Sequence, residues 1–184
     1  MKEWRFPRFA LFTPRFLRLG PGNGWLVAFG ALALAACGPD MDTTIPGPQT
    51  VREYYGEAPG LQVEISGNVA RISLIQGNDQ LRRGGTLWAK AGPYIYLFSP
   101  QTRRLLSEHP GLGGVRVTTR TPAGTWIAEA LLTADRMTGA GWARALSAGH
   151  DARTEGGESP GLMSTLVRYG EDLTEFRYNP AYAR

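Results

Sequence analysis

Apolar and polar positions change their period several times along this chain. Leu61, Val63 and Ile65 alternate with Gln62, Glu64 and Ser66, the period of a half-buried strand. Gly67-Asn68 follows, then a second apolar run over residues 69–75. Two such runs around a Gly-Asn pair predict a β-hairpin. Residues 76–85 read as a polar loop, with Arg82-Arg83-Gly84-Gly85 as a solvated turn. Residues 86–91 and 94–99 predict a second hairpin around Gly92-Pro93, with Pro93 at the turn because it has no backbone donor. Residues 100–109 predict a helix of about two turns. Leu105 and Leu106 face inward there, Arg103 and Arg104 stand near its start, and Pro110 ends it. Residues 115–121 and 125–132 predict a third hairpin across Pro122-Ala123-Gly124.

Beyond Thr133 the period lengthens. A helix is predicted over residues 138–148, with Trp142, Ala145 and Leu146 on one face. Gly149 reads as its stop and residues 150–157 as a loop. Ser159-Pro160 has the form of an N-cap followed by proline at the first helical position. The helix it opens carries Leu162, Met163, Leu166 and Tyr169 and stops at Gly170. Residues 173–178 return to period two, with Thr174, Phe176 and Tyr178 on one face. Residues 51–60 are ambiguous; one reading is a short helix carrying Tyr54 and Tyr55. Six early strands, a short inserted helix and two C-terminal helices predict an α+β fold built on an antiparallel β-barrel or sheet.

One apolar block shows no alternation. Residues 25–36, WLVAFGALALAA, carry no charge and follow Lys2, Arg5, Arg8, Arg15 and Arg18. The block is short of the ~20 residues a spanning helix needs. A basic flank, a short apolar core and small residues before a cleavage site make a secretory signal. Leu34-Ala35-Ala36-Cys37 resembles the lipobox of bacterial lipoproteins. That resemblance implies that residues 1–36 are a signal peptide and that Cys37 is lipidated and becomes the new N-terminus. It also implies an envelope location, with membrane attachment through Cys37. Gly38, rather than an aspartate, follows the cysteine, which by the same resemblance favours the outer membrane, facing the periplasm or the surface. Residues 38–50, GPDMDTTIPGPQT, are rich in Pro, Gly and Thr, so that residues 37–50 read as a lipidated end and flexible tether. Residues 51–184 then form a single globular domain.

Discarding the leader changes the charge balance. The whole chain has 20 basic and 16 acidic residues, and the leader takes five of the first and one of the second, leaving 15 of each. The basic excess belongs to the leader, so a nucleic-acid partner is not expected. Cys37 is the only cysteine, so no disulfide can brace the domain and a packed core must hold it.

Residues 86–134 read LWAKAGPYIYLFSPQTRRLLSEHPGLGGVRVTTRTPAGTWIAEALLTA from Leu87 onward. Strand, tight turn, strand, short basic helix ending in proline, then hairpin: this order resembles the split β-barrel of pyridoxamine-phosphate-oxidase-like flavoproteins and their deazaflavin-binding relatives. The resemblance implies an FMN or deazaflavin site. Thr102-Arg103-Arg104 matches the triplet that holds the cofactor phosphate in that superfamily, and Trp88 would flank the ring. A hydroxyl, a helix N-terminus and guanidinium forks all favour phosphate.

Other chemistry is sparse in the sequence. His150-Asp151 reads as a solvated loop, and Glu129 as an outward strand residue with Asp135 beyond it. His109 and His150 are the only histidines and lack metal-ligand spacing, and there is no Gly-x-Ser-x-Gly elbow, so neither catalytic nor metal residues are assigned. The reading is a lipid-anchored envelope protein whose domain binds an envelope protein, a glycan or a small molecule, or has a structural role. The alternative is a flavin- or deazaflavin-binding split-barrel protein or oxidoreductase.

Overall fold

The computed structural model describes residues 43–56 and 58–182. The expected signal peptide, Cys37 and the first part of the expected tether lie outside these residues. The fold is α+β, with five α-helices among the described residues and one five-stranded sheet in the order β1-β2-β3-β4-β5. The sheet is open, with β1 and β5 at its edges, and it is mixed. β1 (Gln62–Ser66) pairs antiparallel with β2 (Val69–Ile75), and the turn between them places Gly67 at φ +59°, where only glycine is unstrained. β3 (Gly114–Arg120) and β4 (Trp126–Thr133) form the second antiparallel hairpin, with Gly124 at φ +85°. β5 (Glu175–Tyr178) pairs antiparallel with β4.

The pair β2–β3 is parallel, with Ala70 beside Val115 and Ile72 beside Val117. Parallel neighbours cannot be joined by a tight turn and need a long crossover. That crossover is α2 (Asn78–Leu97), bent at Gly85, followed by α3 (Pro100–Glu108). The expectation of a hairpin at residues 86–99 is therefore corrected: both predicted strands lie in the crossover, and so does the loop predicted at its start. The physical reason is visible in the packing. Ala91, Tyr94 and Phe98 are fully buried, and Leu87, Trp88 and Ile95 pack against the same core. That spacing of three and four is a helical face. Pro93 costs a helix interior about 3 kcal/mol, and burial of this face offsets it. Gly92 serves packing instead of a turn. A Cβ there would press on Gln76 Oε1 at the end of β2, whose Nε2 donates to the Trp88 carbonyl at 2.8 Å.

α1 (Pro48–Tyr55) begins inside the segment read as a tether. Val51 is fully buried, and the Tyr55 hydroxyl meets Thr102 Oγ1 at 2.8 Å beneath α3. Pro46 is buried too, and a Cβ on Gly111 would collide with the Thr43 carbonyl. The last residues of the predicted tether are thus part of the folded domain.

α4 (Gly139–Thr154) runs past Gly149, which was expected to stop it, and takes in His150. Gly149 lies against the Phe98 carbonyl, so the two helices approach backbone to backbone. Arg153 at the end of α4 donates to the carbonyls of Ile95 and Phe98, placing a cation at the C-terminus of α2. α5 (Pro160–Leu173) continues beyond Gly170, against which the Tyr94 ring packs. The inner face of the sheet, with Ala70, Ile72, Leu74, Val115, Val117, Ala130 and Leu132, joins Tyr94, Leu97, Phe98, Met163 and Leu166 in one core.

Candidate functional site: a groove on the open face of the sheet

The residues between those core positions face the other way. On β2, Arg71 and Ser73 alternate with buried Ala70, Ile72 and Leu74. On β3, Arg116, Thr118 and Arg120 alternate with Val115, Val117 and Thr119. The pleat sends both sets to one face. Register then joins strands far apart in sequence. Arg71 stands between Glu64 and Arg116, and Thr118 between Ser73 and Glu129, with Arg177 beyond Glu129. Together they line a groove of about 490 Å³, to which no helix contributes a residue.

Glu129 is the hub of the groove. Its side chain is 13% exposed, and its Oε1 accepts from Arg116 at 2.5 Å and from Arg177 at 2.7 Å. Thr118 donates its hydroxyl to Oε2 at 3.1 Å. Burial works to raise the carboxyl pKa, but the hydrogen bonds from Arg177, Arg116 and Thr118 outweigh it and hold the group below the ordinary carboxylate range. Arg120 folds back along its strand, and its Nε donates to Ser73 Oγ at 3.1 Å. Arg71 forms no ion pair among the described residues.

The residues singled out for a cofactor are not brought together in this way. Thr102 is fully buried in α3. Its hydroxyl donates to the Tyr96 carbonyl at 2.7 Å and meets Tyr55 at 2.8 Å, so it faces the core. Arg103 and Arg104 are exposed; Arg104 is engaged with Glu108 at 2.7 Å. Trp88 lies on α2, half-buried against the core. The helix N-terminus is closed by Ser99, which accepts from the Thr102 amide. These four residues do not form a phosphate cradle with a ring site beside it, because Thr102 and the arginines point to different sides of one helix. Cys37 lies outside the described residues.

Asp135 sits in the 3-10 turn Ala134–Arg136 after β4, and His150 is exposed on α4. Neither lines the groove with Glu129. Glu129 does face outward, as expected. Its partners escaped sequence reading because they come from β3 and β5. The available signal was the Arg-x-Ser and Arg-x-Thr-x-Arg alternation on β2 and β3, which puts charge and hydroxyls on one face.

A second polar cluster stands at α1. Tyr54 Oη meets Glu108 Oε2 at 2.5 Å and His109 Nε2 at 3.0 Å, with the Arg104 guanidinium over its ring at 5.5 Å. Burial, then the Glu108 carboxylate, raises the Tyr54 pKa, so the phenol stays protonated. This cluster fastens α1 to α3.

Compared with protein-family models, curated proteins and solved structures, the chain matches none.

Proposed function

We propose that this is a lipid-anchored protein of the bacterial cell envelope whose folded domain is a binding module rather than an enzyme. The anchor reading rests on the apolar block at residues 25–36 and the Leu34-Ala35-Ala36-Cys37 motif. Two or more acyl chains would give stable attachment at ~0.8 kcal/mol per buried methylene, so the charge-balanced domain need not bind the membrane itself.

The single observation that supports binding over catalysis is the state of Glu129. It is the acidic group at the centre of the groove, and three donors engage it. A carboxylate held ionised below its usual range is a poor general acid, and one already accepting three hydrogen bonds is a poor base. As the fixed centre of an arginine array, it orients guanidinium forks for a ligand instead.

Expression of the full chain in a bacterial host, with detergent-phase partitioning and mass analysis of the N-terminal peptide, tests the anchor. The expected mature protein begins at Cys37, carries the diacylglyceryl mass and partitions into detergent, and Cys37→Ser abolishes both. A mature N-terminus at any other residue overturns the lipoprotein reading.

A further inference from the structure

We propose that the groove on the open sheet face binds a phosphate-bearing ligand, with the dianionic group seated over Ser73 between Arg71, Arg116 and Arg120. This rests on the binding reading of the groove but not on the lipid anchor.

Charge comes first. The lining holds four arginines against two glutamates, Glu64 and Glu129, a net of +2. A phosphomonoester carries about −1.5 to −2 near neutral pH, so one such group neutralises the face. A single carboxylate would leave half of that charge uncompensated.

Donor accounting comes second. Ser73 Oγ accepts from Arg120 Nε, which leaves the serine proton free to point into the groove. Thr118 is different, because its proton is committed to Glu129. Arg116 uses Nη1 on Glu129 and keeps its remaining N–H groups; Arg120 keeps both of its Nη groups. Arg71 keeps all of its donors. It lies two residues before Ser73 on the same strand, roughly 7 Å away along the backbone, and directly across from Arg116. The centre of the groove is therefore a set of donors around one hydroxyl; Glu129 is already saturated, and Glu64, across from Arg71 on β1, is the other carboxylate of the lining. Such a set suits a tetrahedral group with several acceptor oxygens, and planar guanidinium forks match it in pairs.

Two of the three arginines, Arg116 and Arg120, are also held in place without a ligand. Glu129 fixes Arg116, and Ser73 fixes Arg120, so less side-chain entropy is lost on binding than at a flexible basic patch. The volume of about 490 Å³ leaves room for a sugar or glycerol unit behind the phosphate.

The shared chemistry could be supplied by a soluble phosphate ester or by a lipid headgroup, and titration of the purified full chain in detergent separates them. Inorganic phosphate and pyrophosphate are the soluble probes. Micelles doped with phosphatidic acid, compared with phosphatidylcholine alone, supply the headgroup. Saturable binding below about 10 mM is expected for pyrophosphate or for phosphatidic acid. The variant Arg71→Gln with Arg120→Gln should weaken it at least ~tenfold, and Ser73→Ala about threefold, with unchanged thermal midpoints. Arg103→Gln, away from the groove, should leave it intact. Preference for phosphatidic acid over pyrophosphate assigns the lipid source, and the reverse assigns a soluble ester.

Absence of saturable binding by every phosphate probe, or binding that survives the double variant, overturns the proposal. Citrate binding that is lost in the double variant, without phosphate binding, would overturn the phosphate assignment while leaving the groove as a binding site.

Discussion

The two faces of the sheet are made by the same strands and do opposite jobs. On β2 and β3 the positions Ala70, Ile72, Leu74, Val115 and Val117 are at most 1% exposed and carry the core. One residue along, Arg71, Ser73, Arg116, Thr118 and Arg120 carry charge and hydroxyls into an open groove. The inner face is covered by α2, with α4 and α5 beyond it, whereas no helix lines the outer groove. Because side chains alternate strictly across the pleat, the two faces can vary almost independently. Stability is concentrated on one, and the proposed recognition is assigned to the other.

The contrast is broken most severely from the inside. Leu132→Ala removes a fully buried side chain opposite Val115, and a loss of about 2–5 kcal/mol in denaturant unfolding is expected. A loss below about 0.5 kcal/mol would mean that this face is not a packed core. Gly149→Ala should cost about 1–3 kcal/mol, because its methyl would meet the Phe98 carbonyl and force α4 away from α2. Neither change touches the groove, so binding per folded molecule should be preserved.

The boundary between the two roles is Glu129. Glu129→Gln leaves Arg116 and Arg177 without their anionic partner, and a modest loss of about 1 kcal/mol is expected near neutral pH. The sign with pH follows from the direction of the shift. The folded-state pKa lies below the ordinary value of 4.5, so the carboxylate's contribution is fully present above about pH 4.5. It is lost as the pH falls through the lower folded value. Thermal midpoints of the two proteins should therefore differ at neutral pH and converge in acid. A gap that widens on acidification would contradict the assignment.

The smallest stability effect is expected on the outer face itself. Arg71→Gln should change unfolding by no more than about 0.5 kcal/mol, since the side chain is exposed and forms no ion pair among the described residues. The same substitution should be felt in ligand titration. If stability and binding fell together, the division between faces would fail.

Local pattern alone carried much of the fold. The hairpins at Gly67-Asn68 and residues 122–124, the helix beginning at Pro100, the Ser159-Pro160 start and the final strand were all legible. Each is specified by neighbours within a few residues, through a turn that needs positive φ, a proline or a fixed period. The region from Asn78 to Leu97 was not legible. Its apolar run fits a strand pair or a helix, and the Gly92-Pro93 pair favours a turn when read locally.

Only the tertiary structure decided between them. Parallel pairing of β2 with β3 requires a crossover, and the face formed by Ala91, Tyr94 and Phe98 is buried only if that crossover is a helix. The groove was hidden for a related reason. Glu64, Arg71, Arg116, Glu129 and Arg177 come from five strands, and register alone brings them together. The apolar–polar alternation of β2 and β3 by itself determined which of their residues face water. Which strands lie side by side depends on contacts distant along the chain, so the meeting of those residues in one charged groove was settled by the fold.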